Sequence, residues 1–400
     1  MAGIYPFFHP LESSEGSVVQ LEGKDIIMLG SNNYLGLTHH PKVLAAAKQA
    51  INDFGTSCTG SRFLNGNLKL HLKLEENLAN FFGYEQALVF SAAFLANIGV
   101  LDTLGKHQDA IIFSEKENHA SLIDGARLAP CEVRLFEDPD DLEKQLSKQE
   151  NWSNALVVID AVFSMTGRIA KLKEFAALRR QYGFRLYVDD AHGIGVFGPQ
   201  GRGTIFEQGV QQDVDLLFGT FSKALASVGG FVAGEKMVID YLRHKTRSLI
   251  FTAGLPPASA AAALAALQVM QKEADEILPK IRENARYWKQ GLDEIGYYTM
   301  DSVSQIIPTM IGSESLAFRI ARDLLDMGVF AIPVPYPVVP CGQSLIRTSV
   351  MPTHTKEHLD KALDAFSIIY KRYSIPKFDP DNLPVADKED WSYFMPQKTN

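Results

Sequence analysis

Near-continuously apolar runs of strand length punctuate the first two thirds of the chain. QALVFSA (86–92), DAIIFSE (109–115), CEVRLFE (131–137), NALVVIDAV (154–162), FRLYVDD (184–190), DLLFGT (215–220) and GGFVAGE (229–235) read as strands, several of them buried on both faces. Between them, PKVLAAAKQAINDF, HLKLEENLANFFG, KLKEFAALRRQYG and the Ala-rich segment after Pro257 carry the spacing of amphipathic helices. Strand and helix in alternation predict an α/β fold, with a mostly parallel central sheet flanked by helices. From about residue 275 the pattern changes. A helix over 275–295, short strands near 305–312 and 344–350, and helices over 315–327 and 355–372 predict a smaller C-terminal α+β domain. The expected organisation is an N-terminal arm (1–45), a large domain (46–275), a small domain (276–373) and a loosely attached tail (374–400) with four prolines.

Composition narrows the class. With 46% hydrophobic and 22% charged residues in 400, disorder, collagen and a short disulfide scaffold are excluded. The net charge is −8 and no Lys/Arg cluster runs along the chain, which argues against a nucleic-acid partner. Cys58, Cys131 and Cys341 lie far apart without metal-ligand spacing, so no metal site is expected and a reducing, cytoplasmic setting fits. The N-terminus shows no secretion signal. Between Arg247 and Lys272 no residue is charged, a length that invites a membrane span. Gly254-Leu255-Pro256-Pro257 interrupts it and its second half is mostly Ala, so a helix opened by the proline pair and packed inside the protein is expected instead.

Three stretches carry chemistry. FRLYVDDAH (184–192) ends a buried strand in two carboxylates and an imidazole, at the edge where α/β folds place ligands. One acid alone would read as a cap or a turn; two acids plus His192 raise the functional reading. The Gly193-Ile-Gly195-Val-Phe-Gly198 that follows is a literal G-x-G-x-x-G, but Gly198-Pro199-Gln200-Gly201-Arg202-Gly203 cannot open the helix that a dinucleotide fingerprint needs. In FGTFSKALASVGG (218–230), Lys223 follows a buried strand among small residues. Such a lysine either snorkels from a loop or, desolvated, becomes a nucleophilic amine. Thr220 and Ser222 beside it would suit a phosphate. An acid at one strand end, a lysine at another and adjacent hydroxyls match the needs of pyridoxal 5′-phosphate (PLP). Upstream, Ser91 lies between a strand and a helix N-terminus, a ready anion site, and His119 occupies another post-strand turn.

Together these stretches resemble the α-oxoamine synthases, PLP enzymes of the fold-type I aminotransferase superfamily that condense an amino acid with an acyl-CoA. The resemblance covers roughly residues 25–372. It rests on SNNYLGLTHHP (31–41), GSRFLNGNLKLHLKLEENL (60–78), the His119 turn, FSMTG (163–167), VDDAHGIGVFGPQGRG (188–203), GTFSK (219–223), FTAGLPP (251–257) and SLIRTS (344–349). It implies that Lys223 carries the cofactor as a Schiff base and later removes the Cα proton. Asp189 would keep the pyridine nitrogen protonated, His192 would bond the phenolic oxygen, and His119 would stack on the ring. Thr220, Ser222 and groups near Ser91, Ala93 and Phe94 would bind the phosphate, with Ser164 nearby in the site. Thr252 would reach the phosphate of a partner subunit in a homodimer with shared active sites. Asn32 and Arg347 would contact substrate, Arg347 gripping the amino acid carboxylate.

Three positions depart from the family pattern: Ala93 where Gly is usual, Asp160 where several relatives have Glu, and MPTHT (351–355) in place of Ala-Ala-His-Thr. None removes a reacting group. GSRFLNGNLKLH and the proline-rich turn VPYPVVPCGQSLIR resemble the bacterial branch that uses L-serine and a long-chain acyl-CoA. Such a substrate implies peripheral contact with the inner face of the membrane. Other acyl-CoA partners, a plain aminotransferase and a non-catalytic subunit are the alternatives, and the presence of Lys223 argues against the last.

Overall fold

A computed structural model describes residues 5–14, 16–149, 152–300 and 302–384. The chain divides into two compact units.

The larger unit comprises Leu37–Phe163 and Ile169–Leu278. Its seven strands are β1 (Gln86–Phe90), β2 (Ile111–Glu115), β3 (Glu132–Phe136), β4 (Ala155–Asp160), β5 (Arg185–Asp189), β6 (Leu216–Thr220) and β7 (Gly230–Gly234). Each falls within a run predicted from apolar content. They form one sheet in the order β1-β7-β6-β5-β4-β2-β3. Strand β7 runs antiparallel to both neighbours, and the remaining pairs are parallel. Leu88, Val100, Ile112, Leu122, Val158 and Val232 are fully buried in one core cluster against this sheet. A Cβ at Gly219 would come within 2.5 Å of the Phe231 ring. The bare backbone there lets Phe231 stack between Phe82 and Phe221, with centroids at 5.3 and 5.8 Å.

Parallel pairing gathers the carboxyl ends of β4, β5 and β6 on one edge. Asp160 of β4 is in register with Asp189 of β5, so two acids end adjacent strands side by side. The G-x-G-x-x-G stretch forms turns: Gly198, Gly201 and Gly203 have positive φ, and a 3-10 turn, Pro199–Gly201, and a single helical turn, Thr204–Glu207, follow. No dinucleotide-type helix starts there.

The Arg62 guanidinium is buried against Glu75 and also donates to Asn67 and to the Val89 carbonyl at 3.2 Å. Glu75 in turn accepts from the Val89 N–H at 2.8 Å. The pair thereby ties the segment around residues 60–67 and the helix Lys69–Phe82 to β1.

The smaller unit contains Met1–Gly36, Ser164–Arg168 and Pro279–Asn400. Strands Val18–Leu21 and Lys24–Met28 form an antiparallel hairpin, and Val329–Phe330 adds parallel to the second. A second sheet orders Ile306–Gly312, Ser344–Ser349 and Ile332–Val334, all antiparallel. Helices Glu314–Asp326 and Lys356–Tyr373 accompany it, and Trp288, Ile307, Ile320, Ile346 and Phe366 centre its core. The segment expected to be an arm therefore supplies strands to this unit, because the edge of Lys24–Met28 pairs with a strand from the far end of the chain.

A single helix, Pro257–Ile295, replaces the two expected there, with Pro279 inside it. Ala260, Ala263, Ala266 and Leu267 are fully buried along its uncharged half. No helix among the described residues is long and apolar enough to cross a membrane. Of the expected tail, residues 385–400 lie outside the described residues.

Removing one partner of a buried ion pair strands the other charge. Glu75→Ala is accordingly expected to cost about 3–5 kcal/mol in denaturant unfolding.

Candidate active site

The two aspartates that end β5 face different surroundings. Asp189 is 5% exposed; its oxygens accept from Asn97 Nδ2 at 2.8 Å and from the Ala191 N–H at 3.0 Å. Burial pushes its carboxyl up, while the charges of Lys223 and His119 and the two hydrogen bonds oppose that rise. Asp190 is fully buried and turns to Thr204, accepting from its N–H at 2.6 Å and its hydroxyl at 2.8 Å. It thereby closes the loop that carries His192, itself 7% exposed. Cβ atoms at Gly193 or Gly203 would meet the Asp190 carboxylate at 2.0 and 2.2 Å, so the loop packs against this acid only as glycine.

Strand β6 leads into the turn that holds Lys223. The turn is closed by Phe221 N–H to Gly229 O (2.9 Å), Ser227 N–H to Phe221 O (2.8 Å) and Ala226 N–H to Lys223 O (3.1 Å). Lys223 is half-buried, and its charge acts on Asp189, His119 and Asp160. Thr220 and Ser222 hydroxyls lie 2.8 Å apart, and Thr220 Oγ1 also accepts from the Ser222 N–H.

Helix Ala93–Leu104 begins without a side-chain cap, so its first N–H groups are left for an anion. A Cβ at Gly230 would meet Ala93 at 2.9–3.0 Å. The methyl of Ala93 is thus accommodated by the bare backbone of Gly230. Ser91 donates to the Ala253 carbonyl, which joins this strand end to the segment that carries Thr252. Thr252 makes no side-chain hydrogen bond among the described residues.

His119 caps helix Ala120–Leu128 through Nδ1, which accepts from the Ser121 N–H at 3.2 Å. Its own N–H is held at 2.8 Å by Asp160 Oδ2, and Phe94 stands edge-on to the imidazole at 6.0 Å. The residue nonetheless stays exposed to solvent on one side. Burial lowers its pKa; Asp189 opposes this and Lys223 reinforces it. Asp160 is pushed well above the usual carboxylate range by burial and by Asp189. At this departure from the family pattern the shorter acid anchors the His119 backbone.

The smaller unit holds the other predicted residues. Arg347, in strand Ser344–Ser349, is 3% exposed. It donates to the Ser164 carbonyl (2.6 Å), Asn32 Oδ1 (3.0 Å) and the Tyr34 hydroxyl (3.3 Å). No carboxylate among the described residues pairs with it. A buried guanidinium held only by neutral groups is prepared for an anion.

The residues of the larger unit meet the demands of PLP. A buried acid accepts hydrogen bonds from an amide and a backbone N–H, a lysine lies within its electrostatic reach, and a hydroxyl pair and an uncapped helix start offer donors suited to an anion. The chain matches the family model for aminotransferase class I and II over residues 24–366. A serine palmitoyltransferase of Bacteriovorax stolpii is 45% identical over 93% of this chain and 89% of its own length. The chain belongs to the α-oxoamine synthases of the aminotransferase class I and II family. An 8-amino-7-oxononanoate synthase of Thermoanaerobacter pseudethanolicus is 40% identical over 94% of this chain and 95% of its own. A solved structure of SPT with its PLP internal aldimine has a TM-score of 0.89 at 34% identity, covering 93% of this chain and 94% of that one. The fold expected of the family is the fold found.

Asn97, Tyr187, Ser121 and Tyr34 escaped the sequence reading. Asn97, Ser121 and Tyr187 are buried polar residues inside regular elements, where a pattern of apolar spacing counts them as neutral core positions, and Tyr34 is buried in the turn after Asn33. The signal that could have found Asn97 is its type: an amide at a fully buried helix position needs partners.

Asp190 ionises near pH 4 in an unfolded chain, whereas burial pushes it up to about 7 in the fold. Between those values the native state retains a proton that the unfolded state releases, so stability falls as pH rises. Relative to Asp190→Asn, the wild type should lose up to about 1.4 kcal/mol per pH unit between pH 4 and 7 in denaturant titrations. A pH-independent difference between the two would refute this assignment.

Proposed function

We propose that the chain is a PLP-dependent acyltransferase that joins L-serine to palmitoyl-CoA, releasing CoA and carbon dioxide and forming 3-ketodihydrosphingosine. The observation that carries this reading is the convergence of Lys223, Asp189 and His119 within one unit of the family's fold. The substrate choice is supported by the relatives named serine palmitoyltransferase at 40–45% identity.

When bound, PLP supplies a ring that accepts the electron pair of a carbanion at the amino acid Cα. Asp189 would accept the pyridine N–H and hold that proton on the ring nitrogen. Lys223 Nζ would hold the cofactor at rest, then take and return the Cα proton. His192 would donate to the phenolic oxygen, and the exposed face of His119 would cover the ring and keep water from it. Thr220, Ser222 and the N–H groups from Ala93 onward would hold the phosphate. Arg347, with Asn32 and Tyr34 fixing its fork, would bind the substrate carboxylate.

A homodimer is part of this reading. Phe63, Leu64 and Phe251 are 55, 78 and 73% exposed. They lie on two segments joined by the Ser61–Ala253 bridge. A second copy covering these groups would carry Thr252 toward its partner's phosphate. The enzyme would work in the cytoplasm, meeting its long-chain substrate at the inner membrane surface.

The relatives named 8-amino-7-oxononanoate synthase support a second reading, in which a shorter acyl-CoA meets another amino acid. CoA-thiol release decides between them. Serine with palmitoyl-CoA should give the fastest release, and alanine with pimeloyl-CoA should give little. The reverse ranking would keep the mechanism and change the substrate. Lys223→Ala should lose cofactor absorbance and turnover while unfolding as the wild type does. Arg347→Ala should lower kcat/KM for the amino acid about thirtyfold or more.

A further inference from the structure

Asn97 stands at the centre of a buried chain of hydrogen bonds in the larger unit. It lies on helix Ala93–Leu104 and is 1% exposed. Its Nδ2 reaches Asp189 Oδ2 at 2.8 Å and Ser121 Oγ at 2.9 Å, and its Oδ1 lies 2.6 Å from the Tyr187 hydroxyl. Ser121 Oγ lies 2.8 Å from His119 Nδ1.

Donor and acceptor chemistry assigns nearly every hydrogen in this chain. A carboxylate only accepts, so the amide nitrogen must face Asp189, and its oxygen then faces Tyr187. The Tyr187 hydroxyl therefore donates to Asn97 and locks the amide against flipping. The second amide hydrogen goes to Ser121 Oγ, whose own hydrogen is left for His119 Nδ1. The Ser121 N–H already points at the same ring nitrogen, which must carry its lone pair. In the neutral ring the proton sits on Nε2.

We infer that Asn97 is a positioning residue that binds the acid Asp189 and the histidine His119 into one unit. It gives one hydrogen to the acid and, through Ser121, orients the imidazole. The acid of β5 and the ring that caps helix Ala120–Leu128 thus share a single amide, itself held by a tyrosine two residues before that acid on the same face of the strand. The consequence for the cofactor rests on the PLP reading above; the link between acid and histidine does not.

The test follows Asp189 and His119 separately, by carbon and nitrogen NMR titration of the cofactor-free protein, and measures PLP affinity by fluorescence. Asn97→Ala removes a donor from the carboxylate, so the Asp189 ionisation midpoint should rise. With Asp189 neutral to higher pH, His119 loses an attractive charge and its midpoint should fall. Lys223, Asp160, Asp190 and Tyr187, whose charges act on the pair or feel it, are unchanged in the variant. Loss of a hydrogen bond to a charged group should weaken PLP binding about tenfold or more. A merely structural role for Asn97 would not move two midpoints in opposite directions.

Should Asn97→Ala fail to fold, Tyr187→Phe removes only the hydroxyl that fixes the amide and should give the same signs at smaller amplitude. A folded variant with both midpoints unmoved would overturn the inference. Wild-type protein that ignores PLP would instead overturn the cofactor reading, and the two titrations would still decide the role of Asn97.

Discussion

A carboxylate taken out of water at the end of a buried strand has to be met by donors or by a cation, and the larger unit is arranged around that requirement. Asp189 receives one N–H from its own turn and one from Asn97, and neither is charged. Lys223 acts on it through space. Parallel pairing is what makes this placement possible, because it delivers the ends of β4, β5 and β6 to one edge with Asp160 and Asp189 in register.

Two adjacent acids divide the labour. Asp189 faces the helix that starts at Ala93, while Asp190 faces Thr204 and closes the glycine-rich loop after it. A strand sends successive side chains to opposite faces, so a pair of aspartates cannot serve one ligand together. The smaller unit makes the complementary choice. Its Arg347 is a buried cation surrounded by neutral oxygens, the opposite sign of the same unfinished electrostatics.

Much of this was legible in the sequence. The seven strands of the large sheet stood out because strands covered on both faces are apolar almost without interruption. The lysine, the acid and the two histidines stood out because each follows such a strand. Less legible were the hairpin over residues 18–28, whose pairing partner lies some three hundred residues away, and the helices that start at Ala120 and Lys236. The continuous helix through Pro279 also escaped, since a proline ordinarily marks a boundary. The amide network around Asn97 was invisible for a different reason. Its members are 24 and 92 positions apart, and only the packed sheet brings them within hydrogen-bond distance.

The central claim is that the amine of Lys223 is the group on which PLP is held. Protein incubated with PLP, reduced with borohydride and digested should carry a phosphopyridoxyl group on the peptide containing Lys223, with no other lysine labelled to a comparable extent. Label confined to a different lysine, or spread evenly over surface lysines, would contradict the account.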